Sequence, residues 1–320
     1  MNHPASPAPA QHKLSRGQFL RQAGRLAGAG LLAPALPALA QEAPVLKRAI
    51  PSSGEMIPVI GSGTAVIYDI EAQDPKIPML AQSLSALISG GGAMIDTAPT
   101  YGRAEKRLGE VMRLVEPSVR DRIFLASKIS IMGEEAGIKQ VAQTYADLGV
   151  SRLDLLQVHN VRDTQVHLKT IRRLRDEGKV RYTGITTSFE NTHPEFERIM
   201  MNEKIDFIQI DYAIDNRLAE QRILPLAQDR GLAVIINLPF GRNRLFAKAK
   251  DRPLPDFAKE LGCSSWAQYF LKFLIGHPAV TVVIPGTDRP EYARDNLGAA
   301  RGPIPDAAMR KRMLEHWESA

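Results

Sequence analysis

The stretch MIDTAPTYGRAEKRLG, Met94–Gly109, closes a short apolar run on a carboxylate, passes through a proline-containing loop that carries Tyr101, and enters a helical pattern from Arg103. Read alone, it is one strand-loop-helix unit whose strand ends on an ionisable group. Moving outward, the same alternation recurs. Strand candidates are Ile57–Ala65 (IPVIGSGTA), Gly92–Ala98 (GAMIDTA), Arg122–Ser130 (RIFLASKIS), Leu153–Asn160 (LDLLQVHN), Tyr182–Ser188 (YTGITTS), Asp206–Ala213 (DFIQIDYA), Ala233–Gly241 (AVIINLPFG) and Val280–Thr287 (VTVVIPGT). Helical patterns separate or follow them at Pro78–Ser89, Arg103–Leu114, Glu134–Leu148, Thr164–Glu177, Pro194–Met201, Ala219–Asp229, Ser264–Ile275 and Pro290–Ala299, with Gly149, Gly178 and Gly231 placed as helix C-caps. Eight such units predict an α/β fold, a (β/α)8 TIM barrel forming a single domain over residues 41–320. A doubly wound open sheet is the alternative, but GSGTAV after the first strand lacks the GxGxxG pattern that such a sheet normally carries there. The longest break in the alternation, Leu238–Ser265, predicts a loop with a short helix over the barrel mouth, and the amphipathic tail Gly302–Ala320 predicts packing against the outside or bottom of the barrel.

A chain of 320 residues with 44% hydrophobic content can bury a large core, which excludes disorder of the whole. Its formal charge of +6 is no signal for nucleic acid: residues 1–40 hold Lys13, Arg16, Arg21 and Arg25 without an acidic residue, and removing those four charges leaves +2. Cys263 is the only cysteine, so no intramolecular disulfide can form. Residues 1–40 run from a basic stretch through a weakly apolar Ala/Leu/Gly segment to Ala38-Leu39-Ala40, the small-x-small form of a cleavage site. They predict an export leader, and hence a periplasmic or otherwise exported protein. Leu26–Leu39 is too short, and too interrupted by Pro34 and Pro37, to span a bilayer as a helix, so no stable membrane insertion is expected once the leader is removed. SRGQFLR, Ser15–Arg21, resembles the twin-arginine export signal, with Gly17 where the second arginine belongs.

In a parallel barrel all strands end on the same face, so ionisable residues at strand ends converge. The second strand ends on Asp96 with Tyr101 just beyond it, the third on Lys128 and the fourth on His159. Each has an ordinary structural explanation alone, as a cap, a rim side chain, a snorkelling lysine or a core histidine. Together they place an acid and a base on adjacent strands, where pairing is natural. A phenol has a pKa of about 10, and a lysine cation beside it is expected to lower that value, with Asp96 holding Lys128 charged. His159 is expected to donate to, or orient, a carbonyl oxygen. Such a site protonates a carbonyl while hydride comes from elsewhere, and since no side chain gives hydride, a nicotinamide cofactor is implied.

With these residues in order, the sequence resembles the aldo-keto reductase family. The resemblance covers Pro58–Ala300 and rests on GSGT, DTAPTYG, LDLLQVHN, GKVRYTGIT, QIDY and TVVIPGT. It implies a barrel that reduces aldehydes or ketones with NADP(H), NAD(H) being possible, and a catalytic tetrad of Asp96, Tyr101, Lys128 and His159. The implied cofactor contacts are Gly63, Thr64, Asp96, Gln209, Leu238, Phe240 and Arg242, with Gly286, Thr287, Arg289, Tyr292 and Asn296 at the adenosine end. No metal ligands are assigned. The implied partners are a small carbonyl substrate and, through residues 1–40, export machinery. Three positions depart from the family pattern: Asn237 stands in place of a nicotinamide-stacking tyrosine, Thr186-Thr187 in place of Ser-Asn, and Ala65 in place of a pocket aromatic. Tyr212 or Phe240 is a candidate to restore the aromatic surface. Two alternatives come from other classes. One is a nucleotide-binding sensor or regulatory barrel with little turnover. The other is an exported carbohydrate-binding or hydrolytic barrel, which needs two facing carboxylates where only Asp96 is clearly placed.

Overall fold

The computed structural model describes residues 43–319, and the expected leader lies outside them. The chain opens with an antiparallel hairpin of β1 (Lys47–Ala49) and β2 (Met56–Pro58), then lays down eight parallel strands: β3 (Ser62–Gly63), β4 (Met94–Asp96), β5 (Phe124–Ile129), β6 (Leu153–His159), β7 (Val180–Thr187), β8 (Phe207–Asp211), β9 (Ala233–Asn237) and β10 (Val280–Val283). They hydrogen-bond in sequence order from β3 to β10. A parallel bridge between Ile60 and Val283 closes the ring, with Gly61 N–H donating to the Val283 carbonyl at 2.9 Å. Seven helices of nine residues or more cover the outside of the ring: α1 (Ile77–Ser89), α2 (Ala104–Leu114), α3 (Glu134–Leu148), α4 (Thr164–Asp176), α5 (His193–Asn202), α6 (Trp266–Ile275) and α7 (Pro290–Gly298). An eighth, α8 (Ala307–Glu318), follows them. The chain is therefore the expected (β/α)8 barrel.

Alternation along each strand divides the apolar residues between two cores. Met94, Phe124, Ala126, Leu155, Tyr182, Phe207, Ala233, Ile235 and Val282 point into the barrel, while Ile95, Leu125, Leu156, Ile185, Ile208 and Ile236 pack against the helices. Phe124, Tyr182 and Phe207 lie near the N-terminal ends of their strands and fill the lower barrel with rings 5.5 to 6.0 Å apart. The hairpin seals that end with Ile50 and Ile57. Glu55 from its turn accepts from the Tyr182 hydroxyl at 2.6 Å and from Arg181, whose guanidinium also reaches Asp154 at 2.8 Å. Arg48 donates to the carbonyls of His277, Val280 and Ile275, joining the hairpin to the end of α6.

Three expectations need correction. The run Ile57–Ala65 is not one strand: residues 56–58 pair backwards with residues 47–49, and only the Gly-rich remainder joins the barrel. Ala219–Asp229 is two short helices, Leu218–Gln221 and Ile223–Asp229, because Arg222 leaves helical geometry at φ −139°. The long break holds a helix at Arg244–Ala249 and a 3-10 turn at Asp256–Leu261 instead of one short helix. It is anchored by rings, Phe240 on Phe246 at 4.8 Å and Phe246 on Phe270 at 6.0 Å. The tail packs outside the barrel as expected: α8 buries Met313 and Trp317, and Trp317 stands edge-on to Phe270 at 5.0 Å. Gly149, Gly178 and Gly231 all take positive φ at helix ends, as predicted.

Candidate active site

Counting in steps of two along the strands gives the side chains that face the upper barrel: Asp96 on β4, Lys128 on β5, Gln157 and His159 on β6, Thr186 on β7, Gln209 and Asp211 on β8, and Asn237 on β9. The structure brings Asp96, Tyr101, Lys128 and His159 together. Lys128 is 1% exposed and donates to Asp96 Oδ2 at 2.7 Å and to the Thr97 carbonyl at 2.8 Å. Gln209 Nε2 donates to the same carboxylate oxygen at 3.2 Å, and Gln157 Nε2 donates to Gln209 Oε1 at 3.1 Å. Space for Gln157 comes from Gly184, where a Cβ would stand 3.1 Å from Gln157 Cγ and 2.9 Å from the Phe207 carbonyl. Thr64, just past β3, braces Asp96, its N–H and hydroxyl both donating to the Asp96 carbonyl at 3.1 Å.

Tyr101 sits on the turn between β4 and α2. Gly102 follows at φ +61°, and a Cβ there would lie 2.4 Å from the Asp69 carboxyl. Asp69 also accepts from Arg103 N–H at 3.0 Å, so the loop after β3 clamps the turn and fixes the phenol. The Lys128 ammonium is 5.0 Å from the Tyr101 ring centre, and the ring meets His159 edge-on at 5.9 Å. Burial pushes the phenol's pKa upward. Lys128 pulls it down, Asp96 adds to the rise, and the net shift is upward. The expected lowering is therefore overturned: burial outweighs the cation, and Tyr101 remains a protonated acid near neutrality. For Lys128, burial acts downward, but the Asp96 charge and Tyr101 outweigh it and hold the ammonium protonated. Burial, with the Lys128 and Arg162 charges, drives His159 down to about 3, so its imidazole is neutral. Burial also raises Asp211 to about 6, against the pull of Arg244, Asn216 and Arg242.

The residues assigned to cofactor contact fall into three groups. Gly63 and Gly286 lie where the backbone is crowded: a Cβ on Gly63 would stand 3.3 Å from the Ile284 carbonyl, and one on Gly286 would stand 2.9 Å from Ile67. Leu238 and Arg242 both take positive φ in the loop after β9, and Phe240 between them is partly buried. At the far end, Asn296 Nδ2 donates to Thr287 Oγ1 at 3.0 Å, so these two buried side chains brace each other and their own loop. Arg289 is half exposed, 3.9 Å from Glu291 and 5.5 Å above the Tyr292 ring. Tyr212 restores no aromatic surface at the mouth. It points outward from β8, fully buried, bonded to Glu220 and Arg310 and packed near Phe273. Thr187 is likewise turned away, holding its loop through Thr192 at 2.7 Å and Phe189 N–H at 3.1 Å.

The residues that sequence reasoning missed are Gln157, Ser130, Thr100 and Asp211. Three of them lie two positions from an assigned residue: Gln157 before His159, Ser130 after Lys128, and Asp211 after Gln209. The two-residue strand period is the signal that finds them. Asp96 Oδ1, Gln157 Oε1, Asp211 Oδ1 and Asn237 Oδ1 are buried acceptors without a donor among the described residues. An unmet buried acceptor costs about 1–3 kcal/mol, and these four lie at the same end of the barrel as Asp96, Lys128 and His159. No cluster of His, Cys, Asp and Glu suited to a metal occurs among the described residues.

A family model described as the aldo/keto reductase family matches residues 60–313. Aldo-keto reductase str7 of Strobilurus tenacellus is 26% identical over 284 residues, covering 76% of this chain and 82% of the relative. An aldo-keto reductase from Klebsiella pneumoniae, solved in complex with NADPH, superposes with a TM-score of 0.70 at 22% identity over 85% of this chain and 95% of that one. A structure from the same organism with NADP and acetate gives 0.69 at 23% identity over 82% and 93%. With the barrel, the strand-end tetrad and the family match in agreement, the chain belongs to the aldo/keto reductase family.

Proposed function

We propose that this protein reduces the carbonyl group of a small aldehyde or ketone to an alcohol, with Tyr101 as the proton donor. NAD(P)H-dependent oxidoreduction is the activity of the family to which the chain belongs; the proposal assigns the roles. The observation that carries it is the buried Lys128–Asp96 pair beside Tyr101 at the mouth of the barrel. A bound nicotinamide cofactor supplies the hydride, which no side chain carries. Tyr101, a phenol that is protonated near neutrality, gives its hydroxyl proton to the carbonyl oxygen. Lys128 steadies the phenolate left behind, and Asp96 keeps Lys128 charged and in place. Neutral His159 holds the carbonyl oxygen beside the phenol.

The chain's own residues fit such a cofactor. The unmet acceptors Asp96 Oδ1, Gln157 Oε1 and Asn237 Oδ1 suit the carboxamide and ribose hydroxyl donors of a nicotinamide nucleotide. Gly63, Thr64, Gln209, Leu238, Phe240 and Arg242 would line its nearer half, and Gly286, Thr287, Arg289, Tyr292 and Asn296 its adenosine end. Exposed Arg289 beside the Tyr292 ring favours NADPH over NADH, because a planar guanidinium can bind a 2′-phosphate with two hydrogen bonds. Arg289→Ala should weaken NADPH binding by at least about tenfold, the low end for hydrogen bonds to a charged group, and leave NADH binding unchanged; equal losses for both cofactors in a fluorescence titration would remove Arg289 from that role.

The test of the reading is turnover. The purified protein, mixed with NADPH and a set of aldehydes and ketones, should oxidise the cofactor only when a carbonyl is present. Tight nucleotide binding without turnover on any carbonyl would favour the sensor barrel. Residues 1–40, outside the described residues, are proposed as an export leader that directs the chain to the periplasm, on the strength of their basic-to-apolar order and the Ala38-Leu39-Ala40 site. Folding before transport would let the protein carry its cofactor with it. Recovery of mature protein beginning at Met1 from the native host would contradict this.

A further inference from the structure

His159 Nδ1 is met by two hydroxyls, Ser130 Oγ at 2.6 Å and Thr100 Oγ1 at 3.3 Å, whereas Nε2 has no hydrogen-bond partner among the described residues. A neutral imidazole carries one N–H, and its position decides what the ring offers. With the hydrogen on Nδ1, the ring would present a lone pair to the carbonyl oxygen and repel it. With the hydrogen on Nε2, it presents a donor.

Ser130 is held firmly enough to make the choice. It directly follows β5, is 5% exposed, and has its N–H bonded to Gln140 Oε1 of α3 at 2.7 Å. Its carbonyl accepts from Arg162 Nη1 at 3.1 Å. Clamped from both sides, its buried hydroxyl has no hydrogen-bond partner other than Nδ1 among the described residues, so an Nδ1–H would leave the hydroxyl hydrogen unmet, whereas an unprotonated Nδ1 accepts it. Thr100, on the loop that carries Tyr101, makes the longer of the two contacts.

We infer that Ser130 is a positioning residue for His159: its hydroxyl donates to Nδ1 and so fixes the tautomer whose Nε2–H faces the reacting oxygen. This rests on the carbonyl-reductase reading only for its consequence, since the tautomer itself is a property of the resting protein. It belongs to the same class of device as the partner hydrogen bond that fixes the tautomer of a metal-bound histidine.

The experiment is a long-range proton–nitrogen correlation spectrum of the full chain labelled with 15N in its histidine rings, with the His159 signals identified by their loss in His159→Gln. In the wild type near neutral pH, Nδ1 should be the unprotonated nitrogen and Nε2 the protonated one. Ser130→Ala should bring in the Nδ1–H form and lower kcat about tenfold, the weight of one neutral hydrogen bond, without changing the cofactor Kd. Ser130→Thr keeps the hydroxyl and should restore both tautomer and rate, while Thr100→Val should leave the tautomer as it is. A wild-type ring protonated on Nδ1 would overturn the inference without recourse to any variant. So would a Ser130→Ala protein whose tautomer is unchanged, even if its rate falls. Absence of carbonyl turnover would strike the functional reading and leave the tautomer measurement standing.

Discussion

The two ends of this barrel are made from the same eight strands and treat polar groups in opposite ways. At the N-terminal end the interior is aromatic, and the polar groups around it are paired: Tyr182 with Glu55 and Ser53, Arg181 with Glu55 and Asp154, Asp154 with Leu125 N–H. At the C-terminal end an ion pair is buried to within 2% of complete, and four acceptors stand without donors among the described residues. One end is organised for stability. The other keeps unmet hydrogen-bonding capacity, tolerable because a ligand can satisfy it.

Substitutions at the two ends should therefore separate rate from stability. The largest effect is expected for Lys128→Met, which leaves Asp96 buried without its cation. It should lose about 3–5 kcal/mol of stability and about 10³-fold in kcat, the scale of acid–base assistance. A denaturant melt and steady-state kinetics check both, and a near-normal rate would break the comparison. Phe207→Ala, at the closed end, should cost about 3–5 kcal/mol in the same melt and leave kcat/KM within about twofold once folded protein is counted. A rate loss beyond that would mean the lower layer does more than hold the barrel together.

A smaller effect tests the wall between the ends. Glu105 is buried on α2 behind Lys128, accepting from Ser127 Oγ at 2.5 Å and Thr144 Oγ1 at 3.0 Å, and burial raises it from 4.5 to about 6. The folded state is therefore favoured fully below pH 4.5, and that contribution is lost as pH rises through about 6. Glu105→Gln should be more stable than the wild type by up to about 2 kcal/mol at pH 8, with the gain vanishing towards pH 4.5. A gain that does not change with pH would show that Glu105 is not buried as a raised acid.

Much of this was legible in the sequence, for stated reasons. Asp96, Lys128 and His159 stood out because ionisable groups rarely end buried strands unpaired, and the parallel barrel brings such ends together. The bottom hairpin was not legible, since IPVIGSG reads as one apolar run and nothing local marks the reversal of pairing after Pro58. The direction of the Tyr101 shift is not legible in the sequence because it depends on burial competing with Lys128, a balance set by packing from loops distant in sequence. Tyr212 was a fair candidate by residue type, but its position next to inward-facing Asp211 puts it on the outer face. The same two-residue count would have added Gln157, Ser130 and Asp211 to the site.

Tyr101 is proposed to donate the proton at a site whose cofactor contacts are separate from it. Tyr101→Phe tests it most directly when cofactor binding by fluorescence titration and single-turnover carbonyl reduction by rapid mixing are measured on the same preparation. The expected result is a cofactor Kd within about twofold of the wild type and a reduction rate down by about 10³-fold, because only the transferable proton is removed. A variant that keeps most of the wild-type rate would contradict it.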